Sequence, residues 1–530
     1  SMAGKIKAQF RPCRRGYYRP MSKDNDPVSG AQTALSRADH AEEISDAVII
    51  GAGFGGICLG KRLLDAGIKN FRMIDKAPKV GGTWYWNSYP GAACDVMSHF
   101  YCYSFEPNPG WSRKYSPWNE IQAYSEHCVA KFGLRSHIDH GKKVELCRFD
   151  DATGLWEVSL SDGIRMQSRH VIDAAGGLHV PLIPDFEGAD SFEGEKWHSS
   201  LWNHDVDLEG KKVVVIGSAA SALQIIPEIA KTAARVTVFQ RTANWVIPRH
   251  DRAYSAFEQW CFRYVPLWEK LYRGFLFLRY DWLAYPIVKT SRNNLQRRWA
   301  MSQFRRLLKK SIRDPDLRAQ LTPDYPIGCK RVLISDNFFT ALARDNVSLV
   351  TSGIDRIVPE GVRAADGVVH EADVIVYATG FDTQGHHTDT RVIGPNGLRL
   401  SEAWADAPIA YEGCMVAGFP NYHFVTGPNT GVGSTSIIFM IEQSANMIID
   451  CIQAAGQDGM IAPTEQAMRA YDEEIQAALA GTVWATSCSS WYKRADGRIT
   501  ILYPYSAQTW WRRHRKLKPQ DFELKRRPAA

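Results

Sequence analysis

The chain of 530 residues contains no apolar run of the roughly eighteen residues that a membrane-spanning helix needs, so no integral span is expected. Its eleven cysteines (13, 58, 94, 102, 128, 147, 261, 329, 414, 451 and 488) never form a CxxC pair. Scattered and odd in number, they fit buried thiols in a reduced compartment rather than a disulfide framework or a zinc site, and no metal is expected. The Arg14-Arg15 pair is followed by GYYRPMSKDN and not by an apolar core, so no secretory leader is read and a cytoplasmic location is expected. A continuous basic face is also missing. The net charge of +7 divides into +5 over residues 1–30 and +6 over residues 511–530, which leaves −4 for the body. The basic residues therefore read as solvated tails, and nucleic-acid binding is not expected.

What is present is ample for a packed interior: 45% of residues are hydrophobic and 11% aromatic. The length exceeds what one core supports, so two or three lobes are expected, in a monomer or weak homo-oligomer. Residues 1–44 lack periodicity and read as a mobile or surface-draped arm. DAVII (Asp46 to Ile50) reads as a buried strand running into GAGFGG (Gly51 to Gly56) and the helical pattern ICLGKRLLDAG. In such a turn Gly51 allows the reversal, Gly53 lets backbone approach a pyrophosphate, and Gly56 lets helix pack on strand. The phosphates would meet the helix N-terminus. The next strand, FRMID, ends in Asp75, placed to accept hydrogen bonds from a ribose.

A second unit repeats the order: KKVVVIG, the turn GSAASA from Gly217 through Ser218 and Ser221 to Ala222, the helical LQIIPEIAKTA, and RVTVFQR. Ala219 stands where the middle glycine is expected, which should tighten phosphate approach. This second strand ends in Gln240-Arg241 with no acid, and Arg241 can pair with a 2′-phosphate, which favours NADPH over NADH. The fold class that follows is α/β with two Rossmann-like dinucleotide-binding domains and a helical insertion. The insertion, 249–321, is aromatic-rich and broken by Lys270, Arg273, Arg279 and Asp281. It reads as a lobe roofing an apolar pocket, with peripheral membrane contact as the alternative. The stretch from Gly81 to Phe105 reads as an irregular loop carrying one acid, Asp95, by itself a turn or cap residue. Lys330-Arg331 alone reads as surface charge. A strand over Glu371 to Thr383 ends in the small-residue turn of Ala378, Thr379 and Gly380.

Between the two glycine turns lies FEGEKWHSSLWN (Phe192 to Asn203), in which Phe192, Gly194, His198 and Trp202 have the spacing F-x-G-x-x-x-H-x-x-x-W. With this stretch the chain resembles the type I Baeyer–Villiger monooxygenases, a group of class B flavin monooxygenases, from about residue 45 to about residue 510. GGTWYWNSYPG, CKR, ATGF, GPNTGVGSTS and SCSSWY add to the likeness, the last two pointing to a hydroxyacetophenone-monooxygenase-like branch. The resemblance implies FAD in a first domain (45–182 and 386–530, ending in the C-terminal tail) and NADPH in a second (183–248 and 322–385). It implies cofactor contacts at Thr83, Trp84, Asp95, Ser218, Ser221, Trp202, Ala378, Thr379 and Gly380. It also implies that hydride reduces the flavin, that O2 then gives a C4a-peroxyflavin, and that this attacks an apolar ketone to yield an ester or lactone. By position Arg331 would stabilise the anion, Asp95 would orient Arg331, Lys330 and Arg241 would hold the 2′-phosphate, and His198 would couple cofactor binding to domain movement. Asn203 stands where Pro or Asp is usual, Ala93 where Arg is common, and Ser434 where His is frequent. N- or S-oxygenation and non-catalytic nucleotide binding are the alternatives.

Overall fold

The computed structural model describes residues 44–290, 294–383, 391–486 and 490–528. The expected N-terminal arm lies outside the described residues but for Ile44. The run SDAVII forms β1 (Ser45–Ile50), almost wholly buried, as a continuous apolar strand should be when it sits inside a parallel sheet. It is followed by α1 (Phe54–Asp65), β2 (Phe71–Asp75), α2 (Thr83–Trp86), α3 (Trp118–Lys131), β3 (Ile138–His140), β4 (Val144–Asp150), β5 (Leu155–Leu160) and β6 (Arg165–Asp173). β1 lies between β2 and β6, parallel to both, and β3 extends the sheet beyond β2. The antiparallel β4 and β5 continue it on the far side of β6.

The chain then crosses to a second sheet made of β7 (Glu195–His198), β8 (Lys212–Ile216) and β9 (Arg235–Phe239), with α4 (Ala220–Ile229) between the last two. The paired β10 (Val246–Ile247) and β11 (Leu333–Ile334) bracket the insertion, whose longer helices are α5 (Ala256–Tyr264), α6 (Trp268–Arg279) and α7 (Leu295–Ser311). β12 (Val347–Val350), the antiparallel trio β13 (Ile354–Val358), β14 (Gly361–Ala364) and β15 (Val369–Glu371), and β16 (Val374–Tyr377) complete this lobe. The order β12-β9-β8-β16-β7 is parallel throughout. The chain returns through β17 (Arg391–Ile393), beside β4, and β18 (Tyr422–Phe424), beside the end of β6. Both sheets thus place a glycine turn and a helix after a central strand, the doubly wound arrangement expected from the sequence.

Three expectations are corrected. The C-terminal stretch is not a solvated tail: Ala507–Arg513 is helical, and Trp510 is fully buried against Tyr503, with ring centroids 4.7 Å apart. Arg513 pairs with Glu412 at 2.9 Å and Glu474 at 2.7 Å, and Phe522–Arg526 pairs antiparallel with Gly459–Pro463. Eight described cysteines are free and buried, but Cys329 is disulfide-bonded. The Gly81–Phe105 loop also contains a regular turn, α2, because Gly81 and Gly82 adopt positive φ values (121° and 56°) and let the chain coil at once into Thr83.

Candidate active site

Each glycine turn is built by crowding of backbone. Gly51 has φ +102°, and its amide donates to Ile74 O at 2.8 Å, which draws the ends of β1 and β2 together. A Cβ on Gly56 would run into the Gly51 carbonyl, so helix and turn pack as the motif requires. A Cβ on Gly53 would lie 3.3 Å from Gly82 Cα, so the Gly81-Gly82 loop packs close against this turn. Asp75 at the end of β2 is buried and accepts the amides of Ala52 (2.6 Å) and Ala77 (2.7 Å), bracing the turn directly. Burial pushes its carboxyl upward, against the effect of these amides. Thr83 opens α2, and the buried Trp84 donates its indole N–H to Tyr101 Oη at 3.0 Å.

The second turn repeats the first. Gly217 has φ +114°, and its amide donates to Phe239 O at 3.0 Å. Ala219 caps α4 at φ −86°, ψ −154°, close to the −80° and −164° of Gly53, so alanine occupies this position without backbone strain. Asn244 Nδ2 donates to Ser218 O at 3.0 Å, and the Ser221 hydroxyl bonds the Tyr89 phenol. Arg241, exposed after β9, lies near enough to Lys330 that their charges repel. Burial first, and then Arg241, pulls the Lys330 ammonium below its ordinary value. Lys330 also sits over the Tyr325 ring, 4.8 Å from its centroid. Two converging cations are a ready acceptor for a dianionic phosphate.

The linking stretch is locked into the second lobe. Phe192 and Trp202 are buried, and a Cβ on Gly194 would strike the Asp373 carbonyl. His198 Nδ1 accepts the Ser200 amide at 3.2 Å, which leaves Nε2–H to donate to Gly380 O at 2.8 Å. Burial pushes this imidazole down to about 4, so it is neutral near pH 7. Gly380 O also accepts the Leu182 amide at 2.9 Å, Thr379 donates to Leu182 O, and Ala378 N donates to Ile216 O. Ala378, Thr379 and Gly380 thus bind together β8, β7 and the irregular segment at Leu182. Asn203 accepts the Asp205 amide at 3.1 Å, an Asx turn that ends the stretch in place of the usual Pro or Asp.

The charged pair at the centre joins distant parts of the chain. Arg331 Nε donates to Asp95 Oδ2 at 2.8 Å, and a second guanidinium nitrogen lies 2.6 Å from the same oxygen. The attraction of Asp95 raises the guanidinium above its ordinary value and keeps it charged. Asp95, in a bend of its loop, is thus engaged in a long-range ion pair. Sequence reading missed the residues that place its loop. Gln224 on α4 accepts the Ala93 amide at 3.3 Å and donates to Ala93 O at 2.8 Å, Arg249 donates to Cys94 O at 2.9 Å, and Tyr280 accepts the Met97 amide at 3.0 Å. Tyr492, its phenol pushed up to about 12 by burial, accepts the Arg331 backbone N–H. Tyr492 ends the SCSSWY stretch, but nothing in the local pattern pointed to its partner.

The pyridine nucleotide-disulphide oxidoreductase family model matches residues 48–256. A Baeyer–Villiger monooxygenase of Streptomyces coelicolor is 40% identical over 500 residues, 94% of this chain and 96% of that protein. Another, of Pseudomonas aeruginosa, is 36% identical over 494 residues, 92% of each. Among solved structures, OTEMO in complex with FAD and NADP has a TM-score of 0.82 at 28% identity, covering 91% of this chain and 99% of that one. An oxidized steroid monooxygenase bound to NADP has a TM-score of 0.80 at 27% identity, with the same coverage. The chain belongs to the Baeyer–Villiger monooxygenases.

Proposed function

We propose that this chain inserts one oxygen atom of O2 beside the carbonyl of an apolar ketone, giving an ester or lactone, with FAD and NADPH as cofactors. The observation that carries this reading is the Arg331–Asp95 pair, a guanidinium kept charged beside the loop that α4 and the insertion hold in place. When bound, FAD and NADPH supply the reducing electrons and the activation of O2. The residues fit both groups. The Gly51–Gly56 turn and the α1 N-terminus suit the FAD pyrophosphate, with Asp75, Thr83 and Trp84 beside it. The Gly217–Ser221 turn suits the NADPH pyrophosphate, and Arg241 with Lys330 suits its 2′-phosphate. The lobes then divide as 45–182 with 386–530 for FAD and 183–248 with 322–385 for NADPH.

Arg331 holds positive charge where negative charge develops on oxygen, and Asp95 fixes its direction. His198 is a positioning residue, tying the linking stretch to the Gly380 turn. The inner face of the insertion supports an apolar substrate: Phe100 stacks on Tyr280 at 5.4 Å, and Phe277 packs on Phe439 at 5.1 Å. The hydroxyacetophenone-like branch rests on GPNTGVGSTS and SCSSWY, part of the latter lying outside the described residues. Cytoplasmic residence rests on the eight free thiols, against which the bonded Cys329 stands. No helix among the described residues is long and apolar enough to cross a membrane. N- or S-oxygenation is disfavoured by a cation poised to hold an oxygen anion. Competing a ketone against a thioether with NADPH tests this: ester formation supports the reading, and sulfoxide alone overturns it.

A further inference from the structure

The insertion carries a second surface that this chemistry does not use. The inner face of α6 is fully engaged: Leu276 is buried, Tyr272 packs on Phe262 at 5.3 Å, and Arg273 donates to the carbonyls of His99 (3.0 Å) and Cys102 (2.9 Å). The opposite face reads Trp268, Leu271, Phe275, Leu278 and, one turn beyond the helix, Trp282, at spacings of three or four residues that align them along one side. All are exposed, Leu271 to 69% and Trp282 to 73%. α5 repeats the arrangement: Cys261 and Phe262 are buried, whereas Phe257, Trp260 and Tyr264 are exposed and lie within 6.3 Å of one another in succession. Gln296 at the start of α7 donates to Trp282 O at 3.3 Å, which brings the exposed Leu295 and Trp299 alongside. Half-exposed side chains of this size sum to on the order of 800 Å², beyond the few hundred usual for a solvated face.

The charges around this apolar surface have one sign. Residues 255–311 contain twelve Lys/Arg against three Asp/Glu, a net +9 in a chain whose total is +7. All three acids are engaged: Glu258 with Arg252 at 2.6 Å, Glu269 with His99 at 2.9 Å, and Asp281 with the Ala507 amide at 3.1 Å. The cations Arg263, Lys270 and Arg298 are exposed beside the stripe. Trp, Tyr, Phe and Leu on one side with unopposed Lys and Arg at its margin is the pattern of a helix lying in a lipid headgroup layer. A protein-binding patch is instead depleted in lysine and carries a polar rim. At twelve residues α6 is about 18 Å long, too short to span the roughly 30 Å hydrocarbon core, so it would lie flat.

We propose that α5, α6 and the start of α7 form a docking surface for an anionic phospholipid bilayer. The same α6 rests on the Asp95 loop through Arg279 to Met97 Sδ (3.0 Å) and the Met97 amide to Tyr280 Oη (3.0 Å), so the docked face and the candidate active site lie on two sides of one helix. Flotation of the full-length protein with phosphatidylglycerol-containing vesicles tests the proposal without turnover, so its outcome is independent of the ketone reading. The wild-type protein should float with these vesicles at low salt, at least about tenfold less with phosphatidylcholine alone, and less as salt rises. The triple variant W260S/F275S/W282S should lose flotation while flavin content and NADPH oxidation stay within about twofold. Wild-type protein that remains unbound overturns the proposal. So does a triple variant that floats equally, or a wild-type dimer that the triple variant abolishes without any vesicle binding.

Discussion

Arg331 and Asp95 are 236 positions apart in sequence, yet the guanidinium Nε donates to the carboxylate at 2.8 Å. The contact needs both lobes and the insertion, because the Asp95 loop is held by Gln224 from α4, Arg249 after β10 and Tyr280 after α6. The pair therefore rests on a geometry that no single lobe contains.

Arg331→Ala should leave NADPH-driven flavin reduction within about threefold of wild type and lower ester formation by roughly 100-fold or more, the scale of losing a charge-stabilising donor. Stopped-flow absorbance read with product analysis separates the two. Asp95→Asn, which keeps a partner for Arg331 but removes its charge, should fall between the variant and wild type.

Lys330→Ala should raise the KM for NADPH by roughly 10- to 100-fold and leave the KM for NADH nearly unchanged, because a charge-assisted phosphate contact is worth about 1.5–3 kcal/mol. Steady-state kinetics with both nucleotides checks this. Equal losses with both would place Lys330 away from the 2′-phosphate.

Gly56→Ala should yield protein with little bound flavin, since the added Cβ meets the Gly51 carbonyl. The ratio of flavin to protein absorbance reports it. Ala219→Gly should change NADPH affinity by less than about twofold, because alanine already adopts the backbone shape that the turn requires.

The buried imidazoles set a pH limit. His198 is held down to about 4 and His423 to about 3, each chiefly by burial, so the unfolded chain takes up protons more readily than the folded one between those values and 6.5. The stability they contribute is complete above pH 6.5 and falls as pH drops towards 4 and 3. For His198 the loss is on the order of 3 kcal/mol. His198→Gln should flatten part of the decline in denaturant melts between pH 7 and pH 4.

The parts of this site that were legible in sequence are those set by local chain geometry. Gly51 and Gly217 mark reversals that few other residues tolerate, and the fingerprint from Phe192 to Trp202 reports one continuous stretch. Asp95 and Lys330-Arg331 read locally as ordinary polar residues, and only the family likeness assigned them a role. Gln224, Arg249, Tyr280 and Tyr492 stayed invisible because their partners lie on other elements, brought near only by packing of the lobes. The same limit hid the disulfide at Cys329 and the burial of Trp510, whose surroundings are assembled from remote segments. In the insertion, the aromatic-rich pattern read first as a lobe roofing a pocket, and which residues would stay outward was set only by packing.

The most direct measurement is isotopic. Wild-type protein supplied with NADPH, an apolar ketone and heavy-oxygen O2 should form an ester or lactone that carries one labelled oxygen atom, and Arg331→Ala should consume NADPH without forming it. NADPH oxidation that yields hydrogen peroxide or a sulfoxide but no labelled ester, across linear, cyclic, aromatic and steroidal ketones, would contradict the account.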